Sequence, residues 1–196
     1  MRPIRGQRQR ILRLEAAWPQ PSPIGRHGAA GSYPKPIHRV TRDLWQPAHA
    51  CGSAHGGLVA PNVLDQDFAA ERPDQKWGAD ISYIWTAEGW LYLAIVVDLF
   101  SRRIVGWATS DRMKKDLALT ALNRAVAVRR PAPGIIHHSD RGSQYCSDAY
   151  RKLLADHKIV ASMSGKGNCY DNAMVETVFK TIKSELIWRT IWQSRL

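Results

Sequence analysis

Three carboxylates stand out by the company they keep. Asp80 lies in "KWGADISYIW" (Lys76 to Trp85), between Ala79 and Ile81. A charge set among apolar strand residues is costly unless something pairs with it. Asp140 lies in "HHSDRGSQY" (His137 to Tyr145), just after the apolar pair Ile135-Ile136. Glu176 lies in "AMVETVFKTIKSELIWRTIW" (Ala173 to Trp192). Each has an ordinary explanation. A turn aspartate often ends a strand, which would account for Asp140. Glu176 and Lys180 would make an i,i+4 pair on a solvated helix face, worth a few tenths of a kcal/mol. Brought together, the three would repel one another unless a cation neutralised them. Hard divalent ions with oxygen ligands suit that task, and magnesium keeps waters open for substrate phosphates.

The elements around these residues decide whether they can meet. "KWGADISYIW" mixes β-branched and aromatic residues and reads as a strand. "WLYLAIVVDLF" (Trp90 to Phe100) is nearly unbroken in its apolar character, as in a strand buried on both faces. "AEG" between them makes a hairpin turn, and "RRIVGWATS" (Arg102 to Ser110) is a third strand. "KKDLALTALNRAVAVRR" (Lys114 to Arg130) is helical, with Leu117, Ala121, Ala125 and Val128 as its stripe, and "PAPG" stops it. "IIHHSD" is a fourth strand, "SDAYRKLLADH" (Ser147 to His157) a capped helix, and "KIVASM" a fifth strand. "SGKGNCYDN" reads as a flexible Gly-rich loop before the last and longest helix, Ala173 to Trp192.

The expected fold class is therefore α/β, a mixed five-stranded sheet with flanking helices in the order β-β-β-α-β-α-β-α. Three strands form an antiparallel meander, and each later strand arrives by a helix and should lie parallel. Adjacent strand ends would set Asp80 beside Asp140, and a helix lying across them would deliver Glu176. On that helix Val175, Phe179, Ile182 and Leu186 make the core stripe, and Glu176, Lys180 and Lys183 an adjacent one. The two lysines are spaced to follow a phosphate backbone.

Composition narrows the partner. The 196 residues carry a formal net charge of +11, which favours a polyanion, nucleic acid first. With three carboxylates, that points to phosphodiester chemistry; two ions roughly 3.5–4 Å apart can serve both the attacking and the leaving oxygen. Nothing resembles a P-loop or a Ser-His-Asp triad. No membrane span or secretion signal is evident, so a cytoplasmic location is expected. The three cysteines, Cys51, Cys146 and Cys169, indicate neither a disulfide framework nor a zinc knuckle.

Residues 1–57 read differently from the rest. They hold seven Gly and seven Pro, with nine Lys or Arg against two acids. They are expected to be a basic, disordered or atypical segment, with residues 58–75 a linker and 76–196 the catalytic unit. Only "RILRLEAAW" (Arg10 to Trp18) looks briefly helical there.

The stretch from Leu58 to Gln193 resembles the second-frame transposases of bacterial insertion sequences (OrfB type, IS-three-like). The resemblance rests on "KWGADISYIWTAEGWLYLAIVVDLFSRRIVGW", "HHSDRGSQYCS" and "SGKGNCYDNAMVETVFKTIKSELI". These proteins have a retroviral-integrase-type catalytic core with a DDE triad. Thirty-five residues separate Asp140 from Glu176, the D-D-35-E spacing of the group. Lys183 falls seven residues after Glu176, where the family keeps a basic residue. The resemblance implies a ribonuclease-H-like fold and Asp80, Asp140 and Glu176 as catalytic metal ligands. Asp80 would bridge two Mg2+ or Mn2+ ions, with Asp140 and Glu176 holding one each. It implies DNA contacts by Lys180, Lys183, Arg141, Lys166, Asn168 and Asn172, with Ser139 and Tyr170 nearby and His138 behind Asp140. It also implies DNA ends and target as partners, a homo-oligomer, and a first-frame partner bearing a helix-turn-helix.

Two departures from the family pattern shape the expectations. The change of character near Gly57–Leu58 resembles a frame shift or an unusual start. The chain ends at "IWQSRL", before the further helix and basic segment of the family, as a C-terminally truncated copy would. A non-catalytic DNA-binding remnant, and a ribonuclease-H-like nuclease that only hydrolyses, are the alternatives to a transposase catalytic subunit or fragment.

Overall fold

The computed structural model describes residues 59–165 and 169–195, with only the backbone of Cys169. The expectations for residues 1–57, and for Lys166 and Asn168, lie outside the described residues. Three strands come first: β1 (Lys76–Thr86), β2 (Gly89–Asp98) and β3 (Arg103–Ser110). Then come α1 (Lys115–Arg129), β4 (Ile136–Ser139), α2 (Asp148–Asp156) and β5 (Val160–Met163). A 3₁₀ turn (Cys169–Asn172) leads into α3 (Ala173–Glu185), and a second one covers Ile187–Arg189.

The five strands form one sheet in the order β3-β2-β1-β4-β5. β1 and β2 pair antiparallel, as do β2 and β3; β4 lies parallel to β1, and β5 to β4. This is the mixed sheet expected from the order of the elements. Two apolar cores explain the continuous apolar character of β2. On one face Trp77, Ala79, Ala94 and Val96 meet Leu122, Ala125, Tyr150 and Leu154 from α1 and α2. On the other, Ile84, Leu93, Ile95 and Val97 meet Val175, Phe179 and Ile182 from α3. Side chains alternate between faces along a strand, so a strand covered on both sides must be apolar throughout.

Two close approaches set the helices. A Cβ at Gly106 would stand 2.2 Å from the Ala121 carbonyl oxygen, so only glycine lets α1 lie this near β3. A Cβ at Gly78 would stand 2.5 Å from Val175 Cγ2, so the missing side chain leaves room for Val175 of α3 against β1. Ser147 caps α2, its hydroxyl accepting from the Tyr150 amide at 3.4 Å.

Several details differ from expectation. Val128 is 73% exposed, and the buried stripe of α1 ends at Ala125 and Val126 instead. The last helix stops at Glu185, not Trp192. There the chain turns back: Trp192 Nε1 donates to the Ile187 carbonyl at 3.2 Å, and Ala87 N donates to the Trp192 carbonyl at 2.9 Å. That turn lays Ile187 and Trp192 on the α3-side core. The end of the Gly-rich stretch is an ordered 3₁₀ turn, not loop. Before β1, the Val63 and Leu64 amides both donate to Ser162 Oγ, at 2.9 and 3.0 Å.

Candidate active site on the sheet and α3

Asp80 and Asp140 are brought together by β1 and β4. The parallel register pairs Lys76 with Ile136, Trp77 with His137 and Gly78 with His138. Continued by two residues, it sets Asp80 against Asp140, just past the end of β4. Asp80 shares the sheet face of Gly78 and Ile84, the face covered by α3. Each aspartate is oriented by a backbone amide. Ile81 N donates to Asp80 Oδ1 at 2.7 Å, and Gly142 N donates to Asp140 Oδ1 at 2.9 Å.

α3 brings Glu176. Its N-terminus is tied to β1 by Asn172, whose Nδ2 donates to the Ala79 carbonyl at 3.3 Å. Glu176 lies in the first turn of this helix and stays partly exposed. Burial drives the Asp80 carboxyl up to about 8, and the nearby charges of Asp140 and Glu176 push the same way. The Ile81 amide and the Lys183 ammonium oppose them. Burial also raises Asp140, against the pull of the Gly142 amide. Asp80 therefore feels both other acids, and the cluster carries an unmet demand for positive charge. Among the described residues, no three of His, Cys, Asp and Glu converge tightly enough to form a ready-made metal cage.

The remaining sequence candidates divide. Lys183 sits near the acids: burial lowers its pKa and the Asp80 charge raises it. Its Nζ lies 5.1 Å from the centre of the Tyr83 ring. Lys180 is exposed one turn beyond Glu176. Arg141 spends its Nε on the Ser164 carbonyl at 2.7 Å, which ties the loop after Asp140 to the end of β5. Asn172 is buried and used as the brace just described, and Tyr170 is 70% exposed. His138 is fully buried between two serines, Nδ1 at 2.9 Å from Ser162 Oγ and Nε2 at 3.1 Å from Ser164 Oγ. Burial holds its pKa down at about 4, so it is neutral. Its ring joins β4 to β5, and Ser139 Oγ donates to the Asp140 carbonyl at 3.1 Å.

A family profile, the integrase core domain, matches residues 70–169. The chain belongs to that family. The matched stretch contains Asp80 and Asp140 and ends seven residues before Glu176. Over 134 residues the chain is 52% identical to the transposase InsF for insertion sequence IS3A of Escherichia coli strain K12, covering 68% of this chain and 46% of that protein. It is 50% identical over 133 residues to a 31 kDa protein of insertion element IS600 from Shigella sonnei, covering 68% and 49%. The chain thus spans about half the length of the curated relatives it matches.

Solved structures carry the same fold. An intasome of simian T-cell lymphotropic virus, bound to a PP2A regulatory subunit, matches with a TM-score of 0.52 at 21% identity, over 65% of this chain and 42% of that one. The trimeric form of the HTLV-2 integrase catalytic core, in complex with magnesium, matches with a TM-score of 0.50 at 16% identity, over 59% and 71%. The integrase core described here therefore has the expected ribonuclease-H-like fold.

Asp171 escaped the sequence reading. This fully buried acid accepts from Asn62 Nδ2 at 3.0 Å, Gln66 Nε2 at 3.1 Å and Gly165 N at 2.7 Å. It locks the segment before β1 to the entrance of α3. Its only signal in the sequence was an acid next to Asn172 in a stretch that reads as loop.

Proposed function

We propose that this chain is a transposase catalytic subunit, or a fragment of one, that cuts and joins DNA at the ends of an insertion sequence. The observation that carries the reading is the placement of Asp80 opposite Asp140, with Glu176 close enough to act on the Asp80 charge. The similarity to insertion-sequence transposases supports it.

The donor set fits hard divalent ions. Three carboxylates supply only oxygen, and the raised Asp80 carboxyl marks a cluster whose repulsion a cation would relieve. Asp80, Asp140 and Glu176 would hold Mg2+ or Mn2+. When bound, two such ions activate an attacking oxygen and neutralise the leaving one. The protein's own residues do the positioning. The amides of Ile81 and Gly142 fix one oxygen of each aspartate, and Asn172 holds the helix of Glu176 against β1. Lys183 and Lys180 present positive charge along the same helix for the phosphates of the strand. In-line attack, first by water and then by a 3′-hydroxyl, needs no covalent enzyme intermediate, so alignment and charge carry the rate. Phosphate contacts would supply most of the affinity, which would fall as salt rises. A homo-oligomer and a separate helix-turn-helix protein would complete the working assembly.

The test is a strand-joining assay with the purified chain, Mn2+ and labelled element-end duplexes. Joined strands are the expected product. Cut ends alone would make the chain a nuclease. Binding with no product would make it a non-catalytic remnant.

A further inference from the structure

β4 pairs with β1 only over Lys76–Gly78, so among the described residues the stretch from Ile81 to Thr86 has a strand neighbour on one side alone. That open stretch and its hairpin partner carry a contiguous run of rings. Tyr83 and Trp90 meet edge-to-face with centres 5.0 Å apart, and Trp90 meets Trp85 in the same way at 4.8 Å. Trp85 is 61% exposed and Trp90 37%. Tryptophan is highly buried on average, and two exposed together mark a surface with an occupant.

Lys183 shows which occupant. Its ammonium lies over the Tyr83 ring, and its charge also acts on Asp80. Tyr83, Trp85 and Trp90 stand on the sheet face opposite Asp80, and this one lysine links the two faces. The hairpin carries little negative charge to repel a polyanion. Glu88 is the sole acid from Ile81 to Val97, and its carboxylate accepts from the Arg195 amide at 3.0 Å. Exposed aromatic faces in sequence, with a cation at one end, suit unpaired bases strung on a phosphate backbone.

We propose that Lys183, Tyr83, Trp90 and Trp85 form a stacking track for unpaired nucleotides of the DNA strand next to the phosphodiester held at Asp80. This rests on the proposed function and adds to it the state of the bound strand, which is single-stranded along the hairpin. Stacking on a base is tolerant of sequence, so the track would grip the strand without reading it.

The test uses the full chain with two probes of equal length, a single-stranded oligodeoxynucleotide containing 2-aminopurine and its duplex. Affinities are read by polarisation over a salt series. Trp85→Ala should weaken single-strand binding about tenfold, leaving duplex affinity and the salt slope unchanged. Trp85→Phe should restore most of the loss, and the melting temperature of both variants checks their folding. Unchanged single-strand affinity in Trp85→Ala overturns the track, as does an equal loss for both probes. A change of oligomeric state on sedimentation, with affinity unchanged, also overturns it and makes the patch a contact between copies. If the wild-type chain joins strands while Trp85→Ala keeps its single-strand affinity, only the track fails. If the wild-type chain binds neither probe, the track and the proposed function fail together.

Discussion

The side-chain amide of Asn172 donates to the Ala79 carbonyl oxygen, and so fastens the helix of Glu176 to the strand of Asp80. The contact is buried, one residue from the first acid and four from the third. Asn172→Ala should cost about 1 kcal/mol in urea unfolding for the lost hydrogen bond. It should also weaken Mn2+ binding, because α3 is no longer held in register with β1. An unchanged Mn2+ affinity would mean that Gly78 and Val175 alone fix the helix.

The Asp80 carboxyl should make the metal-free chain less stable as pH rises. Its folded pKa, about 8, lies above the ordinary 3.8, so the folded state holds the extra proton between those values. The stability tied to that proton is full below about 4 and is lost as pH rises through about 8. Buried His137 and His138 act in the opposite sense, since burial lowers both from 6.5 to about 4. Their contribution is full above 6.5 and is lost as pH falls toward 4. Between pH 6.5 and 8 Asp80 should dominate. Asp80→Asn should then stabilise the chain at pH 8, in the presence of chelator, by about 1–3 kcal/mol. Urea melts at both pH values check this, and a mutant with the wild-type slope would show that the carboxyl is not perturbed.

Glu176→Gln should abolish strand cleavage and joining while DNA affinity stays within about twofold. The change removes an anionic metal ligand and no phosphate contact. Parallel gel-shift and joining assays separate the two effects. Normal turnover in this variant would remove Glu176 from the site.

Lys183→Ala should weaken DNA binding and lower the slope of log affinity against log salt by about 1. Lys180→Ala should do the same if both lysines follow the backbone. A Lys183→Ala slope equal to wild type would assign this lysine to holding Tyr83 and the acids, not to the phosphates.

Much of this arrangement was legible in the chain itself. The apolar character of β2 and the alternation of strands and helices gave the sheet, because those patterns depend only on which faces are covered. The spacing from Asp140 to Glu176 implied a shared site only through the resemblance to the insertion-sequence transposases. The end of α3 was not legible: "IWRTIW" keeps an apolar pattern that a helix could use, whereas in the fold the chain turns back, with Trp192 bonded to Ile187 and Ala87. Asp171 and Asn172 read as loop residues for a similar reason. Their partners, Asn62, Gln66 and Ala79, lie about a hundred positions away in the sequence. Val128 continued a helical stripe on paper, but it is exposed, and no element among the described residues covers that position.

The most direct test of the central claim is a calorimetric titration of Mn2+ into the purified chain at pH 8, beside Asp140→Asn. Saturable binding by the wild type, lost in the variant, is the expected result. It would mean that Asp80, Asp140 and Glu176 close on a cation as one site. Binding that is absent from both, or equal in both, would contradict a metal site built on these three acids.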